Sequence, residues 1–346
     1  MADKEDSNNM DVNTPEHVVT EMQDVATSPG INHQMDNTPC QVDKQLDFIT
    51  INKEGHLLLG SSSLTGRYWG GSLWYYDNPA LAPSVEKCRV GYEAGSGLPD
   101  GVFLDGEKIV MVGLDSGAVE FLKLSQEEES MQMRSLCQVT EHLDAVVCVK
   151  VTCQKKSALT GSLDRSIRVW DNETSLVTKL LSPAHSQQVT SLSPHPANDH
   201  LFLSAGMDGN VLLWDLRCPK PASCVYRDWD DKPESVLWVG EDDHYLVGLQ
   251  SGQVALRCTT NLNHNVTTCQ TLSRPIYKLE LNPTRPSQVA VCGNDSKVIV
   301  LDIVNKEIKK RYEDNRHTDF VRGLAWKDSN SLVSCGWDSS VHIHGL

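Results

Sequence analysis

A short segment of alternating side chains recurs seven times along the chain, and this repeat limits the possible folds more than any other feature. The copies are SLWYYD from Ser72, GAVEFL from Gly117, SIRVWD from Ser166, NVLLWD from Asn210, QVALRC from Gln253, KVIVLD from Lys297 and SVHIHG from Ser340. Successive copies begin 45, 49, 44, 43, 44 and 43 residues apart. Because a four-stranded propeller blade needs about 40 to 45 residues, the spacing predicts seven such blades.

The residues before each copy support strands rather than helices. A polar turn such as MDGN or NDSK precedes the segment, and an apolar stretch such as HLFLSAG or QVAVCG precedes the turn. This order is typical of two antiparallel strands joined by a tight turn. We therefore predict an all-β fold, a seven-bladed β-propeller that covers residues 45–346.

The first 44 residues have a different composition. They contain no aromatic residue and hold nine acidic side chains against two basic ones, Lys4 and Lys44. Such a segment buries too little apolar area to offset its ordering entropy. We expect residues 1–44 to form a disordered acidic arm.

The charge balance narrows the range of partners. Asp and Glu outnumber Lys and Arg by 46 to 31, which gives a net charge of −15. A negative surface repels phosphate backbones and attracts basic proteins. We expect no direct nucleic-acid binding, and the absence of a long apolar run predicts no membrane span. These features suggest a protein of the cytoplasm and nucleus.

The sequence carries no recognisable catalytic motif. It lacks a G-x-S-x-G segment, a phosphate-binding Walker loop, a G-x-G-x-x-G turn and an H-E-x-x-H helix. Its eleven cysteines are dispersed, with no C-x-x-C pair and no metal-binding pattern with histidine. We therefore predict a binding protein, not an enzyme, with no cofactor and no metal.

Three of the repeats carry a matching set of polar side chains. The sets are His142, Thr160, Asp164 and Trp170; His185, Ser204, Asp208 and Trp214; and His317, Ser334 and Asp338, with His344 where the tryptophan would fall. In these features the chain resembles the WD-repeat family. The resemblance implies a buried hydrogen-bond chain from indole to hydroxyl to imidazole to carboxylate that locks each blade. A catalytic triad uses the same residue types, but a set that recurs in three blades favours the structural interpretation.

Two surface positions are candidate partner-binding sites. The turn before the first copy is enlarged to LTGRYWGG, which places Arg67, Tyr68 and Trp69 between glycines. Aromatic and arginine side chains on a loop are typical of contact hot spots. The alternative is that Trp69 folds back onto the first blade. Phe320, in the turn that enters the seventh blade, is the second candidate, although simple packing would also account for it.

The end of the chain raises the question of ring closure. Leu346 follows directly after the seventh copy, so the last blade lacks an outermost strand of its own. An unpaired edge there would leave the ring open. We expect a segment between His33 and Asp47 to supply that outer strand.

Several longer segments point to one branch of the WD-repeat family. They are LLLGSSSLTGRYWGGSLW from Leu57, DSGAVE from Asp115, LLWDLRCPKPAS from Leu212, HTDFVRGLAW from His317 and GWDSSVHIH from Gly336. Over residues 45–346 the chain looks like the methylosome branch. That resemblance implies a non-catalytic subunit in a hetero-oligomer. It would bind the arginine methyltransferase that makes symmetric dimethylarginine, and help present histones and Sm proteins.

A second interpretation comes from a different class of propeller. Residues 214–217 read Trp-Asp-Leu-Arg, which fits the W-D-x-R pattern of substrate receptors in cullin ubiquitin ligases. The two interpretations predict different partners for the same fold.

Overall fold

The structure is a computed structural model, and it describes residues 39–63, 70–104, 108–127, 130–218, 220–221, 223–240, 243–260 and 267–346. In these residues the regular elements are 27 β-strands and two short 3-10 helices, Pro79–Leu81 and Val85–Lys87. No helix in this part of the chain is long and apolar enough to cross a membrane. The all-β prediction is confirmed.

The first four blades each contain four strands that follow one another along the chain. Blade 1 consists of β1 Gln45–Ile51, β2 Leu57–Ser63, β3 Gly70–Tyr76 and β4 Val90–Ala94. Blade 2 consists of β5 Asp100–Phe103, β6 Ile109–Gly113, β7 Ala118–Glu127 and β8 Ser130–Thr140. Blade 3 consists of β9 Val146–Val151, β10 Ser157–Ser162, β11 Ile167–Asp171 and β12 Val177–Leu181. Blade 4 consists of β13 Val189–Pro194, β14 Leu201–Gly206, β15 Asn210–Asp215 and β16 Ser223–Arg227.

The remaining three blades repeat the pattern, and the last has three strands in the described residues. Blade 5 consists of β17 Pro233–Trp238, β18 His244–Leu249, β19 Gln253–Cys258 and β20 Thr267–Gln270. Blade 6 consists of β21 Ile276–Leu281, β22 Gln288–Gly293, β23 Val298–Val304 and β24 Glu307–Asp314. Blade 7 consists of β25 Val321–Trp326, β26 Ser331–Gly336 and β27 Val341–Gly345. Each predicted repeat segment overlaps the third strand of a blade, which confirms the seven-bladed propeller.

The first strands of the blades form the inner ring. Each of them packs beside the first strand of the next blade, and β25 packs beside β1. In six of these seven strands one residue is skipped in the pairing with the second strand, which marks a β-bulge. The skipped residues are Asp47, Val147, Thr190, Glu234, Tyr277 and Arg322. All but Glu234 line a central cavity of 350 Å³.

The hydrophobic core lies between neighbouring blades. One buried cluster joins Leu46 and Trp74 of blade 1 to Val333 and Cys335 of blade 7. Similar clusters join blades 3 and 4, and blades 5 and 6. Because alternate side chains of a strand point to opposite faces, each middle strand supplies apolar residues to the clusters on both of its sides.

The prediction for the outer strand of blade 7 is wrong for the residues that the structure describes. Residues 45–47 of the predicted range belong to β1, which pairs with β2 as the innermost strand of blade 1. The described residues add no fourth strand to β27. Residues 33–38 lie outside the described part of the chain. The inner position explains the difference: the ring closes there by packing of β1 against β25 and β26.

The predicted end of the arm, at residue 44, lies in a segment that already contacts the propeller. By contact density the chain divides into units 1–36 and 37–346. Residues 1–38 of the predicted arm lie outside the described residues. Two residues that we assigned to the arm contact the propeller: Asp43 accepts a hydrogen bond from Ser72 Oγ at 2.8 Å, and the Lys44 carbonyl accepts one from Ser339 Oγ at 2.9 Å.

Candidate functional site

Two of the polar sets form complete hydrogen-bond chains. In blade 3, Trp170 Nε1 donates to Thr160 Oγ1 at 2.9 Å, Thr160 Oγ1 lies 2.8 Å from His142 Nε2, and His142 Nδ1 lies 3.0 Å from Asp164. In blade 4, the distances along Trp214, Ser204, His185 and Asp208 are 2.8, 2.7 and 3.0 Å. Each carboxylate also accepts a backbone N–H from the residue after the histidine. Each hydrogen-bond chain thus connects the second and third strands of a blade, the turn between them and the connection that enters the blade.

The direction of these chains is fixed by the indole. A tryptophan N–H can only donate, so the hydroxyl oxygen accepts from it and passes its own proton toward Nε2 of the histidine. Nδ1 then carries the histidine proton toward the carboxylate. His142, His185 and both hydroxyls are buried, so a substrate cannot reach these groups. The arrangement stabilises the blade and offers no nucleophile.

The third set differs at its inner end. His317 Nδ1 lies 3.0 Å from both carboxylate oxygens of Asp338, and His317 Nε2 lies 2.8 Å from Ser334 Oγ. In place of an indole, the buried His344 brings Nε2 to 2.8 Å from Ser334 Oγ. Imidazole nitrogen can donate or accept, so the direction of this chain is not fixed.

Burial controls the protonation of the blade 3 histidine. Desolvation and the nearby Arg168 guanidinium together lower the pKa of His142 to about 4, against the opposing effect of Asp164. Hydrogen bonds from Ser166 and from the Leu143 backbone hold the pKa of Asp164 well below its usual range. At neutral pH this pair consists of a neutral imidazole and a carboxylate.

Blade 1 contains a polar network that the sequence patterns did not reveal. Trp74 Nε1 donates to Ser72 Oγ at 2.8 Å, and Ser72 Oγ donates to Asp43 at 2.8 Å. Ser61 Oγ lies 2.8 Å from Ser72 Oγ. The carboxylate comes from before the first strand instead of from a turn, so no fixed spacing from the tryptophan identified it. The available signal was a serine two residues before a tryptophan in a repeat segment.

The connections that contain the candidate residues lie at one end of the propeller, which we call the mouth face. It is the end at which the first strands begin, and the antiparallel order returns the turns between second and third strands to the same end. Phe320 lies there, half-buried, directly before β25. β2 and β3, which flank residues 64–69, meet at this end. Arg67, Tyr68 and Trp69 themselves lie outside the described residues.

Phe320 belongs to a cluster around one arginine, which we call the Arg322 cluster. The Arg322 guanidinium lies 4.3 Å from the centre of the Tyr277 ring, 4.5 Å from that of Trp337 and 5.5 Å from that of Phe320. The rings of Phe320 and Trp337 are 5.7 Å apart. A cation over several aromatic faces is stabilised by their quadrupoles. Packing in this cluster accounts for the position of Phe320, and partner contact by its exposed part remains a prediction.

Asp47 connects the Arg322 cluster to blade 1. Trp337 Nε1 donates to Asp47 Oδ1 at 2.9 Å. Burial raises the pKa of Asp47 to about 6, against the opposing effect of hydrogen bonds from Ser62 and Trp337. Ser62 is the second-last residue of β2, so the end of β2 lies close to the cluster.

The mouth face also carries exposed apolar side chains. Leu143, between β8 and β9, is 92% exposed, and Trp229, between β16 and β17, is 68% exposed. Arg227 lies 5.9 Å from the centre of the Trp229 ring. Large apolar side chains left in water on one face are typical of a protein-binding surface. The sequence analysis identified neither residue.

Comparison with known proteins matches these features to a family. The model of the WD domain, G-beta repeat, matches residues 133–171, 175–215 and 309–344, which contain the third strands of the three blades with a histidine-carboxylate pair. The methylosome protein WDR77 of Xenopus laevis is 34% identical over 315 residues, which cover 89% of this chain and 91% of that protein. The chain belongs to the methylosome WDR77 family of WD-repeat proteins. The predicted family resemblance is confirmed.

Two further comparisons cover most of the chain. Protein valois of Drosophila melanogaster is 24% identical over 334 residues, which cover 91% of this chain and 90% of that protein. A chain of the COPII outer coat vertex on membranes superposes with a TM-score of 0.73 at 17% identity, over 87% of this chain and 84% of that one, and shows the shared fold alone. The family consists of non-catalytic WD-repeat proteins, so the chain is a methylosome-type binding protein and not an enzyme.

Proposed function

We propose that the chain is the scaffold subunit that binds a type II protein arginine methyltransferase and helps present basic substrates for symmetric arginine dimethylation. The observation that carries the proposal is the identity of 34% to the methylosome protein WDR77 over nearly the whole of both chains. The similarity extends over most of the propeller, which supports a shared binding role.

The mouth face is the surface that we assign to the methyltransferase. It combines the exposed side chains of Leu143 and Trp229 with a rigid cluster around Arg322. β2 and β3, between which Arg67, Tyr68 and Trp69 stand in the sequence, meet at this face. Aromatic and arginine side chains supply most of the energy of protein interfaces, so Trp69 is the proposed anchor and Phe320 a neighbouring contact.

Charge supports the second half of the proposal. The net charge of −15 attracts the arginine-rich tails of histones and Sm proteins, which would be held near the bound enzyme. Such capture is electrostatic and weakens as salt rises. With this role we also propose that the protein acts in both the cytoplasm and the nucleus.

Affinity capture from cell extract separates this function from the alternative. With the full chain as bait, the proposal predicts recovery of a protein arginine methyltransferase in stoichiometric amount. Recovery of a cullin ligase adaptor without the methyltransferase would instead favour the W-D-x-R interpretation of residues 214–217. In the structure the Arg217 guanidinium donates to Asp215 from Nε at 2.9 Å and from Nη2 at 2.6 Å, and the side chain stays mostly exposed.

An Arg217→Ala variant is the matched control for that alternative. It removes the exposed guanidinium of the W-D-x-R segment, which follows β15 at the end of the blade opposite the mouth face. The methyltransferase should still be recovered with this variant, whereas loss of the methyltransferase together with an intact fold would count against the proposal.

A further inference from the structure

Blade 7 brings together three potential metal ligands at the outer end of its polar chain. Nδ1 of His317, a carboxylate oxygen of Asp338 and a ring nitrogen of His342 all lie within 4.8 Å of one another. His317 is buried, whereas Asp338 and His342 are partly exposed. The three residues come from a connection, a turn and a strand, so no local spacing in the sequence predicted them.

The three side chains converge on one point. The hydroxyl of Ser340 lies 2.7 Å from Asp338 Oδ1, 3.1 Å from His317 Nδ1 and 3.2 Å from His342 Nε2. The rings of His317 and His342 are 4.6 Å apart in an edge-on arrangement. Because the Ser340 hydroxyl can rotate away, the position that it occupies between the three side chains is available to a metal ion.

A cationic side chain occupies the corresponding position in blade 3. Arg168 stands where His342 stands in blade 7, two residues after the corresponding serine. Its Nη1 atom lies 2.7 Å from His142 Nδ1, 2.9 Å from Ser166 Oγ and 3.5 Å from Asp164 Oδ2. In blade 7 the corresponding histidine, serine and carboxylate lie around the His342 ring instead of a guanidinium.

Blade 7 also differs from blades 3 and 4 in which ring nitrogen of its histidine can carry the proton. A metal on Nδ1 requires that the proton of the neutral ring move to Nε2, which faces Ser334 Oγ. Ser334 can accept that N–H only if its own proton goes elsewhere, and Nε2 of His344 can accept it at 2.8 Å. The indoles of Trp170 and Trp214 cannot accept a proton, so blades 3 and 4 hold their histidines in the other tautomer.

Nδ1 of His344 has a hydrogen-bond partner in either tautomer of the ring. Its Nδ1 atom faces a donor, Arg316 Nη2 at 3.0 Å, and a hydroxyl that can accept, Tyr312 Oη at 3.2 Å. Arg316 Nη2 also donates to the Ile343 carbonyl at 3.1 Å and keeps that acceptor in both forms. The tautomer change therefore leaves no buried donor without an acceptor.

We propose that His317, Asp338 and His342 form a site for a divalent transition-metal ion, with Zn²⁺ as the preferred ion. Two imidazole nitrogens and one carboxylate are a common set of zinc ligands, and water would complete a tetrahedron. Zinc bonds of about 2.0 to 2.2 Å place ligand atoms about 3.3 Å apart, so the partly exposed His342 ring would swing inward by about 1.5 Å. This site does not depend on the proposed methyltransferase partnership.

The other blades supply the test variants. His342→Arg copies Arg168 of blade 3, and His342→Leu copies Leu212 of blade 4, so both changes place in blade 7 a residue that the same framework already accommodates. Zinc binding to the full reduced chain is measured by isothermal titration against a competing chelator, with the His317 and His342 ring resonances followed by NMR. Thermal unfolding of each variant checks that it is folded.

The expected result is one zinc equivalent per chain that shifts both ring resonances, with affinity at least about tenfold weaker in His342→Arg and His342→Leu. An Arg168→Ala variant should bind zinc like the wild type, because it changes only blade 3. Equal zinc affinity in the wild type and the folded His342→Leu protein, or zinc binding that leaves the His317 and His342 resonances unmoved, would overturn the proposal.

Discussion

Trp337 and Asp47 form a hydrogen bond that spans 290 positions of the sequence and joins the last blade to the first. The indole Nε1 donates to Oδ1 at 2.9 Å. A neighbouring contact between Ser339 Oγ and the Lys44 carbonyl, at 2.9 Å, connects the same two blades. Ring closure thus uses polar contacts at the mouth face in addition to the apolar cluster below them.

Removal of the indole N–H tests this closure. In Trp337→Phe the partly buried Asp47 carboxylate loses a donor, and we expect a loss of about 1 to 3 kcal/mol of unfolding free energy. Urea unfolding at neutral pH measures the change. Trp229→Phe is the control, because that tryptophan is largely exposed and should change stability by less than about 0.5 kcal/mol. Equal stability of Trp337→Phe and the wild type would show that the hydrogen bond is unimportant.

The pH dependence of Asp47 provides a second prediction. Its pKa is raised to about 6 in the folded chain, above the unfolded value of about 3.9. The folded state therefore binds the proton more tightly, and this contribution to stability is lost as pH rises from about 4 to 6. Asp47→Asn should be more stable than the wild type by about 1 to 2 kcal/mol at pH 7.5 and equal to it near pH 4. A constant difference across that range would contradict the raised pKa.

His142 should show the opposite dependence. Its pKa is lowered to about 4 by burial and by Arg168, below the unfolded value of about 6.5. The associated stability is complete above pH 6.5 and is lost as pH falls toward 4. We expect His142→Gln, which cannot titrate, to flatten the fall in unfolding free energy over that range. Parallel curves for the two proteins would mean that His142 does not titrate as described.

Removal of the hydroxyl at the centre of a hydrogen-bond chain is the most sensitive test of the structural role of that hydrogen-bond chain. Thr160→Val leaves Trp170 Nε1 and His142 Nε2 without their shared partner, which should cost about 2 to 4 kcal/mol. Thr268→Val, on an exposed position of β20, is the matched control. If the chain only locks the blade, the folded Thr160→Val protein should bind the methyltransferase with wild-type affinity. A Thr160→Val protein as stable as the wild type would show that this hydrogen-bond chain contributes little to the free energy of unfolding.

The repeat segments of the sequence predicted most of this fold. Their spacing identified the third strand of every blade, from Gly70–Tyr76 to Val341–Gly345, because the alternation and the turn before it are local properties. The same holds for the chains of blades 3 and 4, whose members sit at fixed offsets. The histidine, hydroxyl and carboxylate of the third set were found in the same way.

Features that depend on contacts between distant segments were missed. Asp43 was assigned to the arm, yet it accepts a hydrogen bond from Ser72. Trp337 and Asp47 share no repeat offset, so the Arg322 cluster could not be assembled from the sequence. Within the described residues the predicted closing strand was misplaced, because the repeat pattern does not show that residues 45–47 belong to β1 and pair with β2.

The most direct measurement is the affinity of the purified full chain for a purified type II protein arginine methyltransferase, with Trp69→Ala and Leu176→Ala tested alongside. Leu176 is an exposed apolar residue between β11 and β12, at the end of blade 3 opposite the mouth face. We predict a stable complex that Leu176→Ala leaves intact and Trp69→Ala weakens by at least about 2 kcal/mol, close to thirtyfold. Separate elution of the two wild-type proteins at micromolar concentration would contradict the proposed scaffold function, and unchanged affinity of Trp69→Ala would contradict the assigned anchor.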